Sequence, residues 1–97
     1  MTIVQDIKDK LKNALPDLQT RYPIASLALF GSVVRDDFDA DRSDVDIMVE
    51  FNGEIGWEFF DLEEELAKLL GRKVDLVAEG AVKPHYLPYI QKDLSYV

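Results

Sequence analysis

The segment from Phe30 to Phe51, FGSVVRDDFDADRSDVDIMVEF, joins two apolar stretches through a loop crowded with carboxylates. Residues 36–46 contain six aspartates and one arginine, a local charge of −5 in a chain whose net charge is −8. Carboxylates held this close repel one another, and the repulsion is relieved when a cation binds between them. The acidic segment therefore predicts a cation site at the junction of two core elements.

Each flanking segment is typical of a β-strand. Residues 24–30, IASLALF, are almost entirely apolar, as in a strand covered on both faces. Residues 44–51 alternate between apolar and polar side chains. Asp44 and Asp46 lie on the polar face, about 7 Å apart along the strand. The apolar face is expected in the core and consists of Val45, Ile47, Val49 and Phe51.

The remaining segments predict two helices and a third strand. Apolar residues at helical spacing indicate an amphipathic helix over 2–14, which Pro16 should end or kink before a further turn that reaches Tyr22. Residues 57–70 form a second helix capped by Gly71, and residues 73–78 form a strand. The apolar stripe of the second helix is Phe59, Leu62, Leu66, Leu69 and Leu70.

This order of elements predicts a small α+β fold, in which flanking helices cover a mixed sheet of at least three strands. A short helix is expected between residues 84 and 94. At 97 residues, the chain is long enough for one modest core, so residues 1–97 are predicted to be a single domain.

Composition excludes several classes of protein. The chain has no cysteine, no apolar stretch long enough to span a membrane and no secretory signal at its N-terminus. These features predict a cytoplasmic protein with no membrane partner. The net charge of −8 argues against direct nucleic-acid binding, which needs a basic face.

The candidate metal ligands are Asp44, Asp46 and Asp75. The spacing of the first two lets their carboxylates converge on a pair of divalent ions, which lie about 4 Å apart in two-metal sites. Asp75 joins them if its strand is a neighbour. Oxygen ligands without His or Cys favour Mg²⁺, or Mn²⁺, over zinc.

The candidate phosphate-binding residues are Gly31, Ser32 and Arg35. A glycine after a buried strand lets the backbone approach an anion, and exposed N–H groups and the serine hydroxyl bind phosphate oxygens. Arg35 adds positive charge. A phosphate cradle beside a metal-binding face suggests a nucleoside triphosphate bound as its Mg²⁺ complex.

Each motif also has a structural interpretation. Gly-Ser after a strand is commonly a turn, the D-x-D pair is often solvated surface, and Asp75 would also suit an exposed edge strand. A calcium-binding EF-hand that starts at Asp39 is rejected, because its sixth position needs glycine and holds Asp44. The interpretation as a site depends on the combination of the motifs and their order.

The segments LALFGSVVR, SDVDIMVEF and GRKVDLV resemble the nucleotidyltransferase superfamily that includes DNA polymerase β, and most closely its minimal nucleotidyltransferase (MNT) branch. The resemblance covers roughly residues 20–97. It implies that the Gly31–Ser32 pair contacts the triphosphate, that Asp44 and Asp46 bind metal ions, and that Asp75 completes the site.

This sequence departs from the family pattern in the acidic loop. Eleven residues, 33–43, separate Gly-Ser from D-x-D, where the family usually has ten, and Asp36 follows Arg35 where the family usually has a small residue. We expect the site to be retained, because one more residue in an exposed loop costs little free energy.

The resemblance also implies a biological setting. MNT proteins are commonly antitoxins of HEPN-type toxins, which are RNases, and are thought to neutralise them by transferring AMP from ATP to a toxin tyrosine. The resemblance therefore implies Mg²⁺-dependent adenylyl transfer, with two ions, to a HEPN toxin.

Two alternatives stay open. One is an antitoxin with a weak or inactive site that neutralises its toxin by binding alone, through Trp57, Phe60, Tyr86, Leu87 and Tyr89. The other is transfer to a small molecule or a nucleic acid, which is disfavoured by the acidic surface and by the absence of a second domain to hold such an acceptor.

Overall fold

The computed structural model describes residues 3–34, 44–81, 88, 90, 92 and 94–97. Two helices and four strands are formed within these residues. They are α1 (Ile3–Arg21), β1 (Ile24–Phe30), β2 (Val45–Phe51), α2 (Glu58–Leu70), β3 (Val74–Ala78) and β4 (Ser95–Tyr96). Short 3-10 helices follow β1 at Gly31–Val34 and β3 at Glu79–Ala81.

The four strands of the described part of the chain form one mixed sheet in the order β3-β2-β1-β4. Strand β1 is antiparallel to both β2 and β4, whereas β2 and β3 are parallel and are connected through α2. Parallel neighbours need a crossover connection, and a helix supplies it here. The predicted mixed sheet with flanking helices is confirmed, and β4 is a strand that the sequence pattern did not indicate.

The hydrophobic core lies between one face of the sheet and the two helices. Leu27 and Leu29 of β1 pair with Val49 and Ile47 of β2 on this face, and all four are buried. The alternating pattern of β2 therefore predicted its core face correctly. The helices contribute Ile7, Leu11, Leu18, Leu62, Leu66 and Leu70.

Helix α1 is longer than predicted. It runs from Ile3 to Arg21 with Pro16 inside it, so Pro16 does not end the helix, and the further turn predicted after Pro16 belongs to α1. Proline removes one backbone hydrogen bond from a helix interior. Leu11 before it and Leu18 after it are both buried in the same core, and their burial offsets this loss.

Helix α2 follows its prediction except at one position. Leu62, Leu66 and Leu70 are buried, and Gly71 ends the helix in the left-handed conformation with φ of 63°. Leu69 is 37% exposed, so its assignment to the core stripe was wrong. Residues four apart share one face of a helix, and Leu69 falls beside the 62–66–70 row.

A network of polar side chains connects α1 to α2. The Arg21 guanidinium donates hydrogen bonds to both carboxylate oxygens of Glu65 and also to Asp17, and the Tyr22 hydroxyl donates to Glu65 at 3.0 Å. The hydrogen bonds from Arg21 are the main cause that lowers the pKa of Glu65 below its ordinary value. Burial, followed by the hydrogen bond to Glu65, raises the pKa of Tyr22.

Most of the predicted helix over 84–94 lies outside the described residues, although residues 88 and 90 are helical. Strand β4 begins directly afterwards and pairs Tyr96 with Ala28 and Ser95 with Leu29. None of the helices in the described ranges has the length and apolarity needed to cross a bilayer. The assignment of residues 1–97 to a single domain stays a prediction.

Candidate active site

Gly31 occupies a position that only glycine fits. Its φ is +75°, a conformation that side chains disfavour, and it comes directly after the last residue of β1. A Cβ atom on Gly31 would overlap Oδ2 of Asp46 and would lie 3.2 Å from Cγ of the same side chain. The Asp46 carboxylate therefore lies directly against the backbone of Gly31.

Asp46 and Asp75 are directly opposite each other on neighbouring strands. They are partners in the parallel register of β2 and β3, and Phe30 is the partner of Asp46 on the other side, in β1. Partners on adjacent strands point to the same face, with their backbones about 4.8 Å apart. The condition that the β2 and β3 strands be neighbours is therefore met, and the two carboxylates share the sheet face opposite the core.

Asp44 comes two residues before Asp46, just ahead of the first residue of β2. Its carboxylate Oδ2 is 4.0 Å from Nζ of Lys73, and their side chains are 40% and 83% exposed. An ion pair this open to solvent is weak. The backbone N–H of Val45 donates to the carbonyl of Lys73 at 3.0 Å, which aligns the starts of the two strands.

Lys73 and Glu63 are neighbours of the site that the sequence analysis did not single out. Lys73 was recognisable, because it is two residues before Asp75 and alternation places both on one face. Glu63 of α2 accepts a hydrogen bond at 3.0 Å from the backbone N–H of Leu76, the residue after Asp75. No sequence pattern reveals that contact, because it depends on how α2 lies beside the outer edge of β3.

The donor set suits a hard divalent cation. The candidate ligands offer only carboxylate oxygens, which Mg²⁺ prefers, and Asp44 and Asp46 are half-buried while Asp75 is exposed. Among the described residues, no three metal-ligating side chains are already gathered around one point. The side chain of Ser32 and the whole of Arg35 lie outside the description, as does the loop over 35–43.

The model of the family described as "Nucleotidyltransferase domain" matches residues 10–97. The chain belongs to the nucleotidyltransferase domain family. This membership confirms the predicted enzyme class, nucleotidyltransferase, and the predicted fold.

One curated relative is MJ0128 of Methanocaldococcus jannaschii, which is provisionally named a protein adenylyltransferase. It is 42% identical to this nucleotidyltransferase over 99 residues, and the match covers the full length of both chains. A solved structure described provisionally as a minimal nucleotidyltransferase matches 97% of this chain and 95% of its own, with a TM-score of 0.80 and 25% identity. These two similarities confirm the resemblance to the MNT branch.

A third similarity is to a chain in the solved complex of a tri-AMPylated Shewanella oneidensis HEPN toxin with its MNT antitoxin. The TM-score is 0.69 at 22% identity, over 96% of this nucleotidyltransferase and 70% of the solved chain. At this identity the likeness is one of fold.

Proposed function

We propose that this nucleotidyltransferase is an antitoxin that transfers AMP from Mg²⁺-bound ATP to a tyrosine hydroxyl of a HEPN-type toxin. The observation that carries the proposal is the pairing of Asp46 with Asp75 across β2 and β3, where the Asp46 carboxylate also lies against Gly31. The name of the 42% identical relative supports adenylyl transfer to a protein. The fold shared with a chain of the Shewanella complex supports a HEPN toxin as the acceptor.

Asp44, Asp46 and Asp75 are the residues that would hold Mg²⁺. When bound, Mg²⁺ supplies positive charge that offsets the charge of the triphosphate and of the departing pyrophosphate. The three carboxylates would orient that charge close to Gly31. We assign Gly31, Ser32 and Arg35 to the phosphates of ATP, since a glycine after a strand lets the backbone approach an anion.

The transfer itself is a displacement at phosphorus. The acceptor hydroxyl oxygen forms a bond to the α-phosphorus, and the bond from that phosphorus to the oxygen bridging the α- and β-phosphates breaks. Pyrophosphate leaves with the electron pair of the broken bond, and AMP remains on the acceptor oxygen. Asp75, the most exposed of the three carboxylates, accepts the hydroxyl proton.

The test is to incubate the protein with Mg²⁺, labelled ATP and the toxin encoded beside it, and then to measure the intact mass of both proteins. A gain of one or more AMP units on the toxin is expected, together with its loss in Asp46→Asn. Asp9→Asn, which changes an exposed aspartate on α1, is the matched control and should retain transfer. An unmodified toxin in the presence of Mg²⁺ and ATP would overturn the proposal.

Neutralisation by binding alone is the second candidate, and one observation favours it. Trp57 and Phe60 expose 84% and 57% of their surface, which suits a protein interface. Co-expression of the toxin with an Asp44→Asn, Asp46→Asn variant separates the two candidates. Full protection by this variant, at equal abundance and without AMP on the toxin, would favour binding alone, whereas toxicity would favour transfer.

A further inference from the structure

The start of α2 carries an aromatic surface that the fold does not use. Trp57 is 84% exposed and Phe60 is 57% exposed, and their ring centroids are 5.8 Å apart. Trp57 is also the N-cap residue of α2, yet its side chain makes no cap hydrogen bond. Ser, Thr, Asp or Asn at this position would stabilise the helix by about 1 kcal/mol. A tryptophan here contributes little to the folded monomer.

Phe60 of this surface is packed against aromatic residues that reach the core, and Trp57 lies against Phe60. The rings of Phe60 and Phe59 meet edge to face with centroids 5.5 Å apart, and Phe59 in turn contacts Phe51 of β2 at 6.3 Å. Phe51 and Phe59 are both packed against the hydrophobic core. Exposed aromatic side chains anchored in this way lose little conformational entropy when a partner covers them, as is common at the centre of protein interfaces.

The charge around the aromatic surface is mainly negative. One cation, Lys68, lies 3.3 Å from Oε1 of Glu64, in an ion pair whose side chains are 78% and 67% exposed and which is therefore weak. Residues 43–67 contain nine acidic residues and no lysine, arginine or histidine. Asp61 and Glu64 follow Trp57 and Phe60 on the same exposed face of α2, because residues three or four apart are neighbours on a helix. We call Trp57, Phe60, Asp61 and Glu64 the α2 patch. A cation placed over Trp57 would gain from both the ring and these carboxylates.

We propose that the α2 patch docks a lysine- and arginine-rich segment of the partner protein. Apolar side chains of that segment cover the Trp57 and Phe60 rings, and its cations meet Asp61 and Glu64. The inference deepens the proposed function by naming how the partner is recognised, and it rests on that function only in taking the partner to be a protein.

The probe is a synthetic 15-residue amphipathic peptide of leucine, lysine and arginine, labelled with a fluorophore at its N-terminus. It is titrated with the full chain, without Mg²⁺ or ATP, and the binding is followed by fluorescence anisotropy. A peptide of the same pattern with glutamate in place of every basic residue is the control. We expect saturable binding of the basic peptide alone, weakened as salt screens the charges.

Two variants test the two halves of the α2 patch. Trp57→Ala should weaken binding of the basic peptide about 10-fold or more. The double variant Asp61→Asn, Glu64→Gln should weaken it and flatten its salt dependence, without removing any aromatic ring. Tyr96→Ala, which removes a 60% exposed aromatic ring from β4, is the matched control and should bind like the unchanged protein. The midpoint of urea unfolding confirms that each variant is folded.

Equal binding by Trp57→Ala, equal binding of the acidic peptide, or no binding of the basic peptide up to about 1 mM, the range of very weak complexes, would each overturn the inference. The assay contains no nucleotide, so its result is independent of adenylyl transfer. A protein that transfers AMP but ignores the peptide refutes only the docking surface. A protein that binds the peptide but transfers nothing refutes only the proposed activity.

Discussion

The carboxylate of Asp46 fills the space into which a side chain on Gly31 would project. This contact joins the end of β1 to the middle of the proposed metal site on β2. Gly31 and Asp46, with fourteen residues between them, therefore depend on each other. The Asp46 carboxylate can lie where it does only because residue 31 has no side chain. Both residues belong to motifs that the sequence presented separately.

Gly31→Ala should lower the free energy of unfolding by about 2–3 kcal/mol, because the positive φ costs about 1 kcal/mol and the collision with Asp46 adds to it. Gly71→Ala is the matched control, because Gly71 also has a positive φ, 63°, but a Cβ there meets nothing within 4 Å. It should cost only about 1 kcal/mol. Urea unfolding of both variants measures the difference.

A double-mutant cycle isolates the collision. Asp46→Ala removes the colliding carboxylate, so Gly31→Ala should cost less in that background than in the unchanged protein. Gly71→Ala should cost the same in both backgrounds. Additive effects of Gly31→Ala and Asp46→Ala would show that the positive φ, and not the contact, explains the need for glycine.

Asp75→Asn should have opposite effects on the free energy of unfolding with and without Mg²⁺ and ATP. In EDTA it should raise the free energy of unfolding by about 0.2–1 kcal/mol, because it removes a like charge opposite Asp46. With saturating Mg²⁺ and ATP the unchanged protein should gain about 2–3 kcal/mol, and the variant distinctly less. Thermal unfolding in both buffers measures this reversal, and an equal gain in both proteins would remove Asp75 from the site.

Glu63 stabilises the outer edge of β3 by accepting the hydrogen bond from the backbone N–H of Leu76. Glu63→Ala should lower the free energy of unfolding by about 1–2 kcal/mol, because that N–H loses its acceptor. Glu63→Gln keeps an oxygen acceptor and should cost less than half as much. For a domain of this size, each kcal/mol corresponds to a shift in Tm of about 4–8 °C. Equal losses in both variants would indicate that the carboxylate charge, not the acceptor, is what matters.

The contact between Arg21 and Glu65 makes stability depend on pH in the acid range. The pKa of Glu65 is lowered in the folded protein, first by the hydrogen bonds from Arg21. Its contribution to the free energy of unfolding is therefore fully present above the pKa of an unfolded glutamate, about 4.3. This contribution is lost as the pH falls through the lower pKa of the folded protein. Arg21→Met should reduce this acid dependence, as measured by urea unfolding between about pH 2 and pH 7. An unchanged slope would contradict the assignment.

Tyr22 should act at the opposite end of the pH range. Burial raises its pKa in the folded protein, and the hydrogen bond to Glu65 adds to the effect. Its contribution is present below the ordinary tyrosine pKa, about 10, and is lost as the pH rises through the higher folded value. Tyr22→Phe should therefore reduce the alkaline dependence measured by urea unfolding. It should reduce the acid dependence less than Arg21→Met does, because the hydrogen bonds from Arg21 are the first cause of the lowered pKa of Glu65.

The sequence predicted the strands of the site because their signals are local. Alternation in 44–51 separated the core face from the aspartate face, and the apolar run over 24–30 identified the central strand. The sequence could not establish that Asp46 and Asp75 are adjacent, because strand order is a property of the whole sheet. Their adjacency was therefore only a condition for Asp75 to belong to the site. The contact between Glu63 of α2 and Leu76 of β3 depends on how the two elements pack, and it produces no periodic pattern in the sequence.

The errors in the sequence analysis also arise where packing between elements outweighs a local sequence signal. Pro16 is a local signal for a helix end, but burial of Leu11 and Leu18 in one core outweighs it. Strand β4 has two residues, too few to show an alternating pattern. It forms because Ser95 and Tyr96 pair with Leu29 and Ala28 of β1. Leu69 was assigned to the core because it lies three residues after Leu66, a helical spacing, and only packing distinguishes its exposed side chain from the buried Leu70.

The position of β3 at the edge of the sheet has a consequence for self-association. An open edge strand invites pairing with the edge of another copy, and charged side chains on such a strand discourage it. In β3 the Leu76 N–H is already occupied by Glu63, and Asp75 places a charge in the strand. The residue proposed to accept the substrate proton therefore also places a charge on an edge strand, where it disfavours pairing with another copy of the protein.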